Sequence, residues 1–217
     1  MPQLFPPVAN SIARVVVFGG VLLVAAGFVA LGVVRGSSFL RGSNVPVAQP
    51  VPFSHEHHVG GLGIDCRYCH VSVETAAYAG MPDTHTCMTC HSQIWTDSPT
   101  LAPVRASLAT GTPLHWNRVY RLPDFVYFDH GIHVRRGVGC SSCHGRVDLM
   151  PLTWQTPSLE MRWCLDCHRH PERALRPRDE IFDLAWTPPA DPARGRALAA
   201  AAGIDVRQIT TCTTCHR

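Results

Sequence analysis

The chain has no lysine, and none of its ten cysteines lies outside one short repeated motif. With no lysine, every basic side chain is a guanidinium, a fixed fork of donors suited to carboxylates. With no cysteine to spare, a framework of scattered structural disulfides is excluded as the natural reading. Long apolar runs are also missing, apart from a single one near the N-terminus. Uninterrupted stretches for long helices or strands are missing too, because 18 Pro and 17 Gly punctuate the 217 residues.

Five copies of Cys-x-x-Cys-His use up all the cysteines: Cys66/Cys69/His70, Cys87/Cys90/His91, Cys140/Cys143/His144, Cys164/Cys167/His168 and Cys212/Cys215/His216, hereafter the first to fifth motifs. In a c-type attachment site the two thiols add to the two vinyl groups of one haem, and the adjacent histidine reaches the iron. Zinc knuckles also use Cys-x-x-Cys, but they need no histidine at the next position, and here every copy has one. Five covalently bound haem c groups are therefore expected, with His70, His91, His144, His168 and His216 as proximal ligands. Their propionates would shift the formal charge of +3 by roughly −5 oxidised or −10 reduced. Some arginines are expected to serve those propionates. The absence of lysine also excludes a Cys-x-x-Cys-Lys site, an attachment variant associated with an open catalytic iron.

The apolar run spans Val15–Val34 between Arg14 and Arg35. At about 1.5 Å per residue it crosses about 30 Å of hydrocarbon. A cleavable signal would have an apolar region of about 7 to 15 residues and a small-residue cleavage site, so an uncleaved anchor is the reading. Arginine counts on the two flanks do not decide orientation. The expected layout is 1–13 as a cytoplasmic N-terminus, 14–35 as the anchor, 36–52 as an extended tether, 53–110 as a two-haem module and 111–217 as a three-haem module. Asp191-Pro192 before Ala193–Ala202, with Gly203 after it, reads as a capped helix between the fourth and fifth motifs. The fold expected is a multihaem cytochrome c: one N-terminal transmembrane helix plus a mostly irregular, short-helix extrinsic domain packed around five haems.

The modular division comes from an internal repeat. Phe53-Ser54-His55-Glu56-His57-His58-Val59 precedes the first motif, and Phe128-Asp129-His130-Gly131-Ile132-His133-Val134 precedes the third. Two histidines three apart share one face of a helical turn and can serve two neighbouring haems. His55, His58, His130 and His133 are therefore the candidate distal ligands. His57 aligns with Ile132 and is not one. For the remaining iron, expected at the second or fourth motif, Met150 is preferred, with Met161, His85, His115 and His170 as alternatives.

Pro52–His55 through His70, Thr86–Ser92, Leu122–Phe128 and Met161–Arg169 together resemble the pentahaem cytochrome c subunit of bacterial alternative complex III. The resemblance implies a quinol-oxidising respiratory complex in the bacterial inner membrane, with the haem domain on the periplasmic side where c-type haem is attached. Implied partners are an iron-sulfur subunit, polytopic quinol-binding subunits and a monohaem cytochrome c, with a terminal oxidase as a further acceptor. The lead-in element is also similar to that of cytochromes c3 and c7, in which the first histidine serves the following haem and the second a more distant one. That similarity implies His55 for the first motif and His130 for the third. His133 is expected at the fifth, because the chain stops at Arg217 with no tail to supply a ligand. All the irons are expected to be low-spin and six-coordinate, with no independent catalytic site. The alternatives are an anchored multihaem quinol dehydrogenase or a redox partner of a different periplasmic reductase.

Overall fold

The structure, a computed structural model, describes residues 6–188 and 191–216. It divides after Ser43 into two units. The first is dominated by helix α1 (Val8–Gly36), with no buried residue along its length. Its 29 residues correspond to about 43 Å, and it is long and apolar enough to cross a membrane. The helix ends where Ser37 turns extended, and a single further turn, α2 (Ser38–Arg41), stops at Gly42 with a φ of 65°.

The expected tether is thus partly helical, and from Asn44 onward it is tied down. Asn44 N donates to the Gln155 carbonyl at 2.7 Å and Val47 N to that of Thr153 at 3.1 Å. Gln49 and Asn117 exchange side-chain and backbone hydrogen bonds, both at 2.8 Å.

The second unit is a set of short helices joined by irregular segments, as the density of Pro and Gly requires. Those that matter here are α3 (Cys66–Cys69), α4 (Thr84–His91), α5 (Ala102–Thr110), α6 (His130–Arg135), α7 (Ser141–His144), α8 (Met161–Arg169), α9 (Pro192–Ala201), α10 (Val206–Ile209) and α11 (Cys212–Cys215). Isolated β-bridges pair Val126 with His216 and Val138 with Leu175. Asp191 caps α9 by accepting from Ala193 N at 2.8 Å, with Pro192 at the first position. Gly195 lets α9 lie against the backbone of Glu172, whose carbonyl a Cβ would strike.

Apolar burial is thin and split. One cluster joins Val51, Leu101 and Val104, with Cys87, Met88, Leu114 and Trp116 against it. The other joins Val73, Val134 and Ile181, with Ala79, Cys140 and Phe182. Motif cysteines belong to both, so the attached groups would extend these cores rather than decorate them. Hydrogen bonds cross the expected module boundary: Arg135 Nη1 donates to the Glu74 carbonyl at 2.9 Å, and Gly131 N to that of Ala76 at 3.0 Å.

Leu175, 2% exposed, pairs through an isolated bridge with Val138, two residues before the third motif. Leu175→Ala is expected to destabilise the protein by about 2–5 kcal/mol, read from denaturant unfolding followed by circular dichroism.

Candidate haem centres

Each motif forms a helical turn, and capping explains why. Asp65 accepts from Arg67 N at 2.8 Å at the head of α3, and Asp83 from Thr86 N at 2.8 Å at the head of α4. Within the turn the motif histidine's backbone N–H donates to the first cysteine's carbonyl: His70 to Cys66, His144 to Cys140 and His216 to Cys212, each at 2.9 Å. That bond sets the histidine beside the two thiols. None of the ten cysteines is joined to another in a disulfide. Among the described residues no group of three or more His, Cys, Asp or Glu side chains is arranged to hold a bare metal ion.

Seven histidines share one hydrogen-bond pattern. Nδ1 donates to a backbone carbonyl in His58 (Ser54, 2.8 Å), His70 (Gly80, 2.8 Å), His91 (Ile94, 3.3 Å), His130 (Ala77, 2.9 Å), His133 (Asp129, 2.6 Å), His168 (Ile209, 2.7 Å) and His216 (Phe125, 3.2 Å). His55 Nδ1 pairs with the Thr153 hydroxyl at 2.9 Å. A carbonyl on Nδ1 fixes the tautomer that leaves Nε2 as a lone-pair donor, the usual outer-shell arrangement of a metal-bound imidazole.

Lead-in and motif histidines then face one another. Ring centres lie 6.1 Å apart for His58 and His91, 6.3 Å for His130 and His144, and 6.1 Å for His133 and His168. Two imidazole nitrogens about 2 Å from one metal, each about 1.1 Å from its ring centre, require about 6.2 Å. The residues therefore fit an iron between each pair. His55 lies in the electrostatic range of His70. The expectation set His133 at the fifth motif, whereas the structure places it opposite His168. Met150, the preferred ligand, is 2% exposed, and its carbonyl accepts from Glu56 N at 3.1 Å.

Phenylalanine orients both histidines of each lead-in. Phe53 stacks on His58 at 4.4 Å and meets His55 edge-on at 4.9 Å. Phe128 does the same to His133 at 4.5 Å and to His130 at 4.7 Å. The repeat displayed this phenylalanine, but its wedge role emerges only in three dimensions. Ser54 and Asp129 hold equivalent positions and both cap the turn, accepting from His57 N and Ile132 N. The aligned non-ligand His57 stacks 6.4 Å from Trp95.

Arg176, which carried no signal in the sequence, is 4% exposed. It donates to Ser141 Oγ and to the Asp183 carbonyl, each at 2.6 Å, and lies 4.6 Å over the Trp186 ring. Its buried Nε has no hydrogen-bond partner. An unpaired donor beside the third motif suits a carboxylate of a bound group.

The thiols place the motifs in space. Burial is the main cause that raises the pKa of Cys69, Cys140, Cys143 and Cys164, and neighbouring thiols add to it: Cys87 at Cys69, Cys66 at Cys140, Cys167 and Cys164 at Cys143, and Cys215 at Cys164. Tyr68 Oη and Thr89 Oγ1, 2.7 Å apart, tie the first two motifs directly. At the other end α8 packs on α10. The adjacencies run second, first, third, fourth, fifth.

Comparison with known proteins points to the same class of cofactor. Residues 126–217 match the family described as cytochrome c7 and related cytochrome c. This segment is a cytochrome c7-like multihaem domain. The match supports covalently bound haem c at the motifs it covers. The chain is 36% identical over 97 residues, 44% of its length, to the "menaquinone reductase, multiheme cytochrome c subunit" of Nitratidesulfovibrio vulgaris. It is also 41% identical over 61 residues, 25% of its length, to "cytochrome c-552" of Porphyromonas gingivalis. The aligned stretches take in 45% and 12% of those two proteins, so less than half of either relative is spanned.

Burial, followed by the neighbouring His70 and His58, holds the His55 imidazole down at about 4. Burial, then His130, His70 and His55, does the same to His144, also to about 4. Both rings are therefore neutral, the ligating form, above that pH, and lose it only as pH falls through about 4. Acid titration of the holoprotein is expected to leave the first- and third-motif haems low-spin at pH 5. Conversion to high-spin absorption is expected only near pH 4 or below; loss of low-spin absorption at pH 6 would contradict the burial of these rings.

Proposed function

We propose that the chain is a membrane-anchored pentahaem electron relay serving a quinol-oxidising respiratory complex of the alternative complex III type, with its haem domain on the periplasmic side. The observation that carries this reading is the set of facing imidazoles: ring centres lie 6.1, 6.3 and 6.1 Å apart in three pairs, and each of those rings except His144 is held at Nδ1 by a backbone carbonyl. Each haem, when bound, takes up and releases one electron. The chain's own contribution is position and potential: His55 with His70, His58 with His91, His130 with His144 and His133 with His168 hold four irons. His216 holds a fifth.

The motif order argues for single-file passage. The second and fifth motifs lie at the two ends, and the third, with its deeply buried His144, lies in the middle. The apolar helix α1 would anchor the chain in the same membrane as its partners: an iron-sulfur subunit, polytopic quinol-binding subunits and a monohaem cytochrome c, with a terminal oxidase beyond. No step of bond chemistry is assigned to this chain.

The name of the Nitratidesulfovibrio relative favours a second reading, delivery of electrons to a quinone instead of removal from a quinol. Gentle purification from membranes, with mass identification of co-purifying subunits and assay in both directions, separates the two. Quinol oxidation by a preparation holding iron-sulfur and polytopic subunits supports the first reading. Quinone reduction with no quinol oxidation supports the second, and isolation of the chain alone with neither activity contradicts both.

A further inference from the structure

We propose that the thioether of Met161 is the sixth ligand of the iron bound at the fifth motif; the inference rests on the five-haem reading above. The lead-in histidines are used at the first four motifs. His216 remains, its Nδ1 tied to the Phe125 carbonyl at 3.2 Å and its Nε2 thereby left to bind iron.

The other histidines are placed elsewhere. His57 stacks on Trp95, and His85 lies near Asp83 at the head of α4. His115 adjoins Trp116, which packs on the Val51 cluster with Cys87 and Met88. His170 lies 3.6 Å from Glu172. Met88 is partly buried against the Val51 cluster and Met150 is buried, while Met81, 47% exposed, follows Gly80, whose carbonyl is taken by His70 at the first motif.

Met161 differs in position and exposure. It opens α8, whose residues 161, 164, 165 and 168 share one helical face: Met161, Cys164, Leu165 and His168. This face meets the chain just before the fifth motif. His168 Nδ1 donates to the Ile209 carbonyl at 2.7 Å, α8 packs on α10, and Cys164 lies in the field of Cys215. Cys164, Leu165 and His168 are half-buried, whereas Met161 is 65% exposed. The inner face of an amphipathic helix thus ends in an uncovered thioether, one turn from the cysteine nearest the fifth motif. A neutral soft sulfur opposite an imidazole is an ordinary second ligand for a low-spin haem iron.

The test is made on the purified full-length holoprotein, with haem per polypeptide measured on the same sample. The wild type is expected to carry five haems and to show the long-wavelength thioether-to-ferric-iron charge-transfer band at one iron in five. Met161→Ala should abolish the band, turn one haem of five high-spin and let the reduced protein bind one carbon monoxide per chain. Met161→His should abolish the band yet keep every haem low-spin. Five haems with no band in the wild type, or a band that survives Met161→Ala, overturns the assignment while leaving the relay reading intact. A band lost in Met150→Ala but kept in Met161→Ala moves the ligand to Met150 and overturns it as well. Fewer than five haems, with the fifth-motif peptide bare, overturns the five-haem reading and this inference together.

Discussion

Replacing Cys140 and Cys143 together by alanine is expected to leave a four-haem protein in which electrons no longer pass from one end to the other. The third motif lies between the first, through Cys66 and Cys140, and the fourth, through Cys143 with Cys164 and Cys167. Its histidines lie at the centre as well: His144 interacts with His130, His70 and His55. Removing the group held there opens the file in the middle, whereas the same change at Cys87 and Cys90 only trims an end. Rapid-mixing reduction should therefore show two populations in the central variant, one reduced promptly and one left oxidised. The second-motif variant should equilibrate all its remaining haems together. Haem-to-protein ratio and circular dichroism on both variants separate a broken relay from a protein that failed to fold. Full equilibration in the Cys140/Cys143 variant would mean that the order of motifs is not a path.

His133→Met is expected to raise the midpoint potential of the fourth-motif haem by on the order of 0.1 V, a fraction of the ~0.8 V that axial ligation spans. A thioether donates less electron density than imidazole and so favours ferrous iron. The site can accept the exchange because α6 is positioned by its backbone, through Asp129 as cap and the contacts of Gly131 with Thr75 and Ala76, not by His133 alone. Spectroelectrochemical titration should show one haem in five moving upward and four unchanged. If instead the shifted haem is the one bound by Cys212 and Cys215, then His133 serves His216, as the sequence alone had suggested.

That alternative shows where legibility ended. The five Cys-x-x-Cys-His motifs were readable because covalent attachment would constrain neighbouring residues, and a repeat of Phe-x-His-x-x-His exposed four further histidines. The caps of α9 were readable for the same local reason. Which distant iron each second histidine reaches was not, since that depends on how α6 lies on residues 74–77 and α8 on α10. The iron left without a histidine consequently moves from the second or fourth motif to the fifth in the proposed pairing. Met150 looked available from its position between motifs, but burial at 2% exposure points to packing. The wedge role of Phe53 and Phe128, and the placement of Arg176 beneath Ser141, depend on contacts between segments far apart in sequence.

The central claim is a single file of five haems whose first four irons each sit between two histidines of this chain. A density map of the holoprotein at a resolution that shows axial ligands tests it most directly. The account predicts the order second, first, third, fourth, fifth, with His55, His58, His130 and His133 opposite His70, His91, His144 and His168. A haem of the second motif lying next to the third or fifth, or His133 on the iron of His216, would contradict it.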